Sequence, residues 1–171
     1  MKYYRIFTIG LLIVLVGFNI YVRIPSTPKV HPGLLKYVET FKELCSTYKT
    51  DCSKISKFKI DLIDMSGFVK LYRMLGIKGT VIGHCWRDAK RIDINREYFD
   101  KSNSAQIEQL VLHELGHCVL NKEHTEETEP SIMNPYSIYY NFYTHNYNEL
   151  MNRFFSCKDF CPVVQFNQDR Y

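Results

Sequence analysis

The sequence predicts one exported domain of mixed α/β class, of the α+β kind in which helices and a small sheet share a core. Three observations carry this. Apolar residues recur at three and four between Leu34 and Tyr48, and again between Ile107 and Cys118, the period of helices with an inward face. Apolar and polar residues alternate between Phe58 and Leu62 and between Arg91 and Asn95, the period of strands. An apolar N-terminal run stands apart from both. With 171 residues, 46% apolar and 23% charged, the chain is long enough for one core and too apolar to be disordered.

Residues 1–24 form the first unit. Lys2 and Arg5 precede an apolar run from Ile6 to Val22, which as a helix spans about 26 Å, enough for a thin bilayer. No small-residue cleavage pattern closes it, so the expectation is an uncleaved signal anchor, with a cleaved signal peptide as the alternative. Either one places the remainder outside the cytoplasm, membrane-anchored or secreted. Pro25, Pro28 and Pro32 mark residues 25–32 as a linker, and the domain proper occupies 33–171.

Leu34, Tyr37, Val38, Phe41, Leu44, Cys45 and Tyr48 predict an amphipathic helix of about 15 residues. Phe58, Ile60 and Leu62 predict a half-buried strand, whereas residues 66–79 fit either a strand or a short helix. Thr80–Trp86 and Arg91–Asn95 read as two strands joined at Arg87–Lys90, a hairpin. The next helix starts at Ser102–Ser104, where Asn103 and Gln106 stand in capping-box spacing, and runs to about Leu120. Ile107, Leu110, Val111, Glu114, Leu115 and Cys118 share one broad face, with His113 and His117 on its flank. Thr125–Pro130 reads as a solvated acidic connector, Ser131–Pro135 as a compact turn, and Leu150, Met151, Phe154 and Phe155 as one face of a last helix.

Cys45, Cys52, Cys85, Cys118, Cys157 and Cys161 are an even set in an exported chain, which suggests disulfides. Cys45 with Cys52 closes a short loop at a helix end, and Cys85 with Cys118 ties a strand to the second helix; spacing alone does not choose among fifteen full pairings. Lysines and arginines give a net charge of +4 but are scattered, so nucleic acid is not an expected partner.

The chemistry concentrates at His113-Glu114-Leu115-Gly116-His117. Histidines four apart on a helix can reach one metal ion, and the glutamate between them can hold a metal-bound water. A third histidine, His124, follows seven residues after the second, past Asn121, a residue able to adopt the left-handed conformation that ends helices.

Together with the methionine in Ser131-Ile132-Met133-Asn134-Pro135, these residues resemble the metzincin zinc peptidases, whose HExxHxxGxxH motif precedes a methionine-containing turn. Two positions depart from that pattern. Asn121 stands one place later than the family's glycine, and His124 one place later than its third histidine. One extra residue in the turn accounts for both. The resemblance covers about residues 80–137. It implies a small twisted sheet with a backing helix and an active-site helix, one Zn2+ on His113, His117 and His124, and Met133 as a floor under them. It further implies an extended peptide or protein substrate along the edge strand Val81–Trp86, with Tyr136 near a specificity pocket.

The expected reaction is peptide-bond hydrolysis by a zinc-bound water with Glu114 as general base. Two alternatives stand beside it. One is a zinc peptidase with a glutamate as third ligand, from Glu123, Glu126 or Glu149. The other is a membrane-tethered binding module that keeps the zinc fold without turnover.

Overall fold

In the computed structural model the chain is described at residues 29–67, 74, 82–126, 130–135, 138 and 140–156. The expected membrane segment 1–24, most of 66–79, Thr80, Val81, Tyr136, Cys157 and Cys161 lie outside these residues. Among the described residues no helix is long and apolar enough to cross a membrane.

The alternation at Lys59–Ile63 forms strand β2, with Ile60 and Leu62 buried and their neighbours half-buried. It pairs in parallel with β4 (Arg91–Asn95), Ile60 opposite Ile92 and Leu62 opposite Ile94. On its other side β2 pairs in parallel with a two-residue strand, β1 (Lys29–Val30). The end of the expected linker is therefore part of the sheet. Pro32 follows this strand at the first position of a short 3-10 helix (Pro32–Leu34), where a missing N–H costs no ladder bond. The fourth strand, β3 (Gly83–Trp86), runs antiparallel to β4, so among the described residues the order is β1-β2-β4-β3, with β3 at one edge. The fold is a mixed α/β domain on a small mixed sheet.

Helix α1 (Leu35–Thr47) buries Tyr37, Val38, Phe41 and Cys45. Helix α3 (Ser104–Cys118) packs against α1, β3 and β4, with Val111, Leu112 and Leu115 fully buried beside Phe41, Ile60, Ile92 and Ile94. Each such aliphatic or aromatic side chain contributes about 1.5–3 kcal/mol relative to exposure. The capping box is present: Asn103 Oδ1 accepts from Gln106 N–H, and Gln106 Oε1 accepts from Asn103 N–H, both at 3.0 Å.

One local expectation is corrected, and two features appear that the sequence pattern did not mark. The regular helix ends at Cys118, two residues before Leu120, because the chain begins its return there. A short helix, α2 (Arg96–Lys101), stands between the hairpin and α3; Asn95 caps it by accepting from the N–H groups of Glu97 and Tyr98. The polar face of β4 is buried as well as its isoleucine face. Pairing explains that burial: Arg91 Nε lies 2.9 Å from Asp93 Oδ2, which also accepts from Trp86 Nε1 at 2.8 Å. A buried charge is tolerated only with such partners.

Disulfides join Cys45 to Cys52 and Cys85 to Cys118. The second links β3 to the last residue of α3. After the metal-motif region, α4 (Tyr140–His145) and α5 (Tyr147–Ser156) close the domain, α5 burying Leu150, Met151, Phe154 and Phe155. Tyr143 is buried and donates to Glu108 on α3 at 2.7 Å.

Candidate metal centre

His113 and His117 lie one turn apart on α3, at the border between core and cleft. Their Nε2 atoms are 3.1 Å apart, and His124 Nε2 lies 3.2 Å from the first and 3.0 Å from the second. Among the described residues these three histidines form a cluster able to hold a metal ion.

The remaining ring nitrogens fix what the cluster presents. His113 Nδ1 donates to Ile132 C=O and His117 Nδ1 to Lys122 C=O, both at 2.7 Å. A carbonyl only accepts, so both protons sit on Nδ1 and both neutral rings aim an Nε2 lone pair at the same point. Burial pushes His113 down to about 4, opposed by the Ile132 bond, and it also lowers His117. Both shifts favour the neutral ring, the state ligation requires. A tetrahedral ion with bonds of about 2.0–2.1 Å would set its nitrogens about 3.3–3.4 Å apart, close to the observed triangle. Lone pairs converging this tightly repel one another without a cation. The donor set fits a metal.

His124 reaches the cluster because the chain turns back within six residues. Asn121 adopts φ 55°, the left-handed conformation its side chain tolerates. Lys122 N–H then donates to Gly116 C=O at 3.0 Å, a return over six residues where the common helix-ending bond spans five. Glu123, the rival third ligand, is instead paired with Arg87 at 2.8 Å; Glu126 is exposed and Glu149 lies on α5, neither in the cluster.

Met133 is buried under α3, and a Cβ on Gly116 would fall 2.6 Å from its Sδ. The same turn supplies the Ile132 carbonyl that orients His113, while Met133 C=O accepts from Thr125 N–H at 3.0 Å, next to His124. The turn thus steadies two of the three histidines.

Glu114 is buried beside Gly83, where an added Cβ would lie 2.6 Å from its Oε1. Burial raises its carboxyl to about 8, with Asp93 adding to the effect. It borders an open cleft of about 610 Å³, with Ile82–Trp86 along one wall and the three histidines beside it. Glu114 and the three histidines thus line the same cleft.

Sequence reasoning missed three contributors. A glycine inside a strand pattern signals close approach, and Gly83 carried that signal. Arg87, which donates to carbonyls at the end of α3, carried none, since the contact joins residues thirty or more apart. His84, whose ring lies 4.0 Å from that of Trp86 on the cleft wall, was likewise indistinguishable from an ordinary strand residue.

No protein-family model, curated protein or solved structure matches this chain.

Proposed function

We propose that the protein is a zinc-dependent endopeptidase of metzincin type, with His113, His117 and His124 as ligands and Glu114 as general base. The observation that carries this reading is the convergence of three imidazole nitrogens within 3.2 Å of one another, beside a buried glutamate, in an open cleft. An all-imidazole tetrahedral set suits zinc, and leaves one coordination position open. Zinc held there would lower the pKa of a water towards about 7 and polarise a carbonyl.

The chain's own groups do the rest. Glu114 accepts the proton of the attacking water and returns it to the leaving amine. An adjacent cation offsets the burial that otherwise keeps this carboxyl protonated. The side of β3 that no other described strand pairs with offers backbone donors and acceptors to an extended peptide, as strand addition requires. Gly83 leaves the carboxylate room beside that strand. Two disulfides support placement in an oxidising, extracytoplasmic compartment, reached through residues 1–24 as a signal anchor or signal peptide.

The test replaces Glu114 with Gln in zinc-loaded protein and measures bound zinc and cleavage of casein or a peptide library. Retained zinc with turnover lowered by about 10²–10⁴ is expected. Undiminished turnover refutes the assignment of the base. A zinc-loaded wild type that cleaves nothing refutes the peptidase reading in favour of a binding module.

A further inference from the structure

Arg87 sits outside the HExxH motif, on the turn that opens between β3 and β4. Its Nε donates to His117 C=O at 3.0 Å, and its Nη2 to Lys122 C=O at 3.3 Å and to Glu123 Oε1 at 2.8 Å. Those three acceptors surround the one irregular segment of the site, the longer return from α3 to His124. The carbonyl of Lys122 is shared: the same oxygen accepts the Nδ1 proton of His117. Glu123 is the residue immediately before His124.

We propose that Arg87 is the positioning residue that sets the third histidine, holding the elongated turn in the register that brings His124 Nε2 onto the metal.

The last carbonyls of a helix lack intrahelical partners, and a cation there also matches the negative end of the helix dipole. Here the turn departs from the usual five-residue return, closing with Asn121 at φ 55° and a single long-span bond from Lys122 to Gly116. Arg87 donates to His117 C=O and to the Lys122 C=O that His117 Nδ1 also uses. A guanidinium presents several donors in one rigid plane, which an ammonium does not, so one side chain can hold the near and far ends of the turn and the residue next to the ligand. The Cys85–Cys118 disulfide delivers this arginine, because it fixes β3 to the end of α3 two residues before Arg87. Hairpin and turn are thereby one unit.

This inference rests on the three-histidine reading of the metal centre, and its test separates the two. Zinc affinity is measured by chelator competition on the full chain for wild type, Arg87→Ala, Arg87→Lys, His124→Ala and the double variant Arg87→Ala/His124→Ala. Arg87 is partly exposed, and thermal unfolding of each metal-free variant controls for loss of fold. The expected result is an affinity about tenfold lower for Arg87→Ala, within the range for groups that orient ligands. Arg87→Lys should recover little of it. In the His124→Ala background, removing Arg87 should cost clearly less than in the wild type, about threefold or under, since the ligand it positions is gone and only its hold on the carbonyl that orients His117 remains. A general stabilising role would lower affinity equally in both backgrounds, and that outcome overturns the inference. Wild-type affinity in Arg87→Ala, with His124→Ala impaired, overturns it while sparing the metal centre. Equal affinity of wild type and His124→Ala removes the third ligand and overturns both.

Discussion

Gly83→Ala isolates the placement of Glu114 from its chemistry. The backbone at this position lies outside the left-handed region, so alanine can adopt it. The added methyl group would meet Glu114 Oε1 at 2.6 Å and Leu110 Cδ1 at 2.9 Å. The nearer contact falls about 0.8 Å short of ordinary van der Waals distance at 3.4 Å, so the carboxylate must move. Overpacking of this kind costs about 1–3 kcal/mol. Replacing a strand glycine recovers about 0.5–1 kcal/mol of chain entropy. The net loss is then about 0–2.5 kcal/mol, which a folded domain survives. Function is less forgiving, since a misplacement near 1 Å in a reacting group costs about 10²-fold in rate. The assay is peptide turnover at measured zinc content, with thermal unfolding alongside. The expected variant is folded and binds zinc as the wild type does, but turns over about a hundredfold more slowly. Wild-type turnover with zinc bound would refute the placement of Glu114 against β3.

Two further outcomes test the fold. The Cys85–Cys118 link closes a longer loop than Cys45–Cys52, with sequence separations of 33 and 7, so chain entropy assigns them about 3.8 and about 2.5 kcal/mol. Urea unfolding of the paired serine variants should show the Cys85/Cys118 variant as the less stable; the reverse order would mean the short link relieves more than entropy. Tyr143 is the alkaline probe. Burial, then Glu108, raises its phenol well above the ordinary value near 10, so above pH 10 the unfolded chain sheds a proton that the folded chain keeps, and stability falls as pH rises. Tyr143→Phe should lose stability overall, by about 1.5–3 kcal/mol for a bond to a charged acceptor, and show a shallower alkaline decline in urea midpoints; an unchanged slope would refute the neutral buried phenol.

The parts legible in the sequence were those governed by neighbours along the chain. Periodicity placed α1, β2, α3 and the last helix, because a helix or strand face is fixed by spacing alone. Asn103 with Gln106 located the start of α3, and Asn121 the left-handed residue of the return. What escaped depended on contacts across the fold. The polar face of β4 reads as solvent-facing until Trp86 and Arg91 are seen to pair with Asp93 Oδ2. The strand at Lys29–Val30 is too short for alternation, and it forms only because β2 offers it an edge. Gly83 and Arg87 act on the site through the hairpin, whose approach to α3 no local pattern encodes.

On the metzincin reading proposed above, that hairpin also bears on why a departure from the family's spacing is tolerable. The second nitrogens of His113 and His117 are held by main-chain carbonyls, from Ile132 and Lys122, and the chain near His124 is held by a main-chain bond from Thr125 to Met133. Main-chain groups are present whatever residue occupies the position, so inserting one residue between His117 and His124 removes no orienting partner provided the turn closes. Closure then becomes the single requirement. Asn121 meets it through backbone conformation, and the arginine across the cleft wall through hydrogen bonds to both ends. The spacing of the three histidines is therefore a property of the turn together with the hairpin packed against it, and a search for the histidine motif at fixed intervals sees only one of those two components.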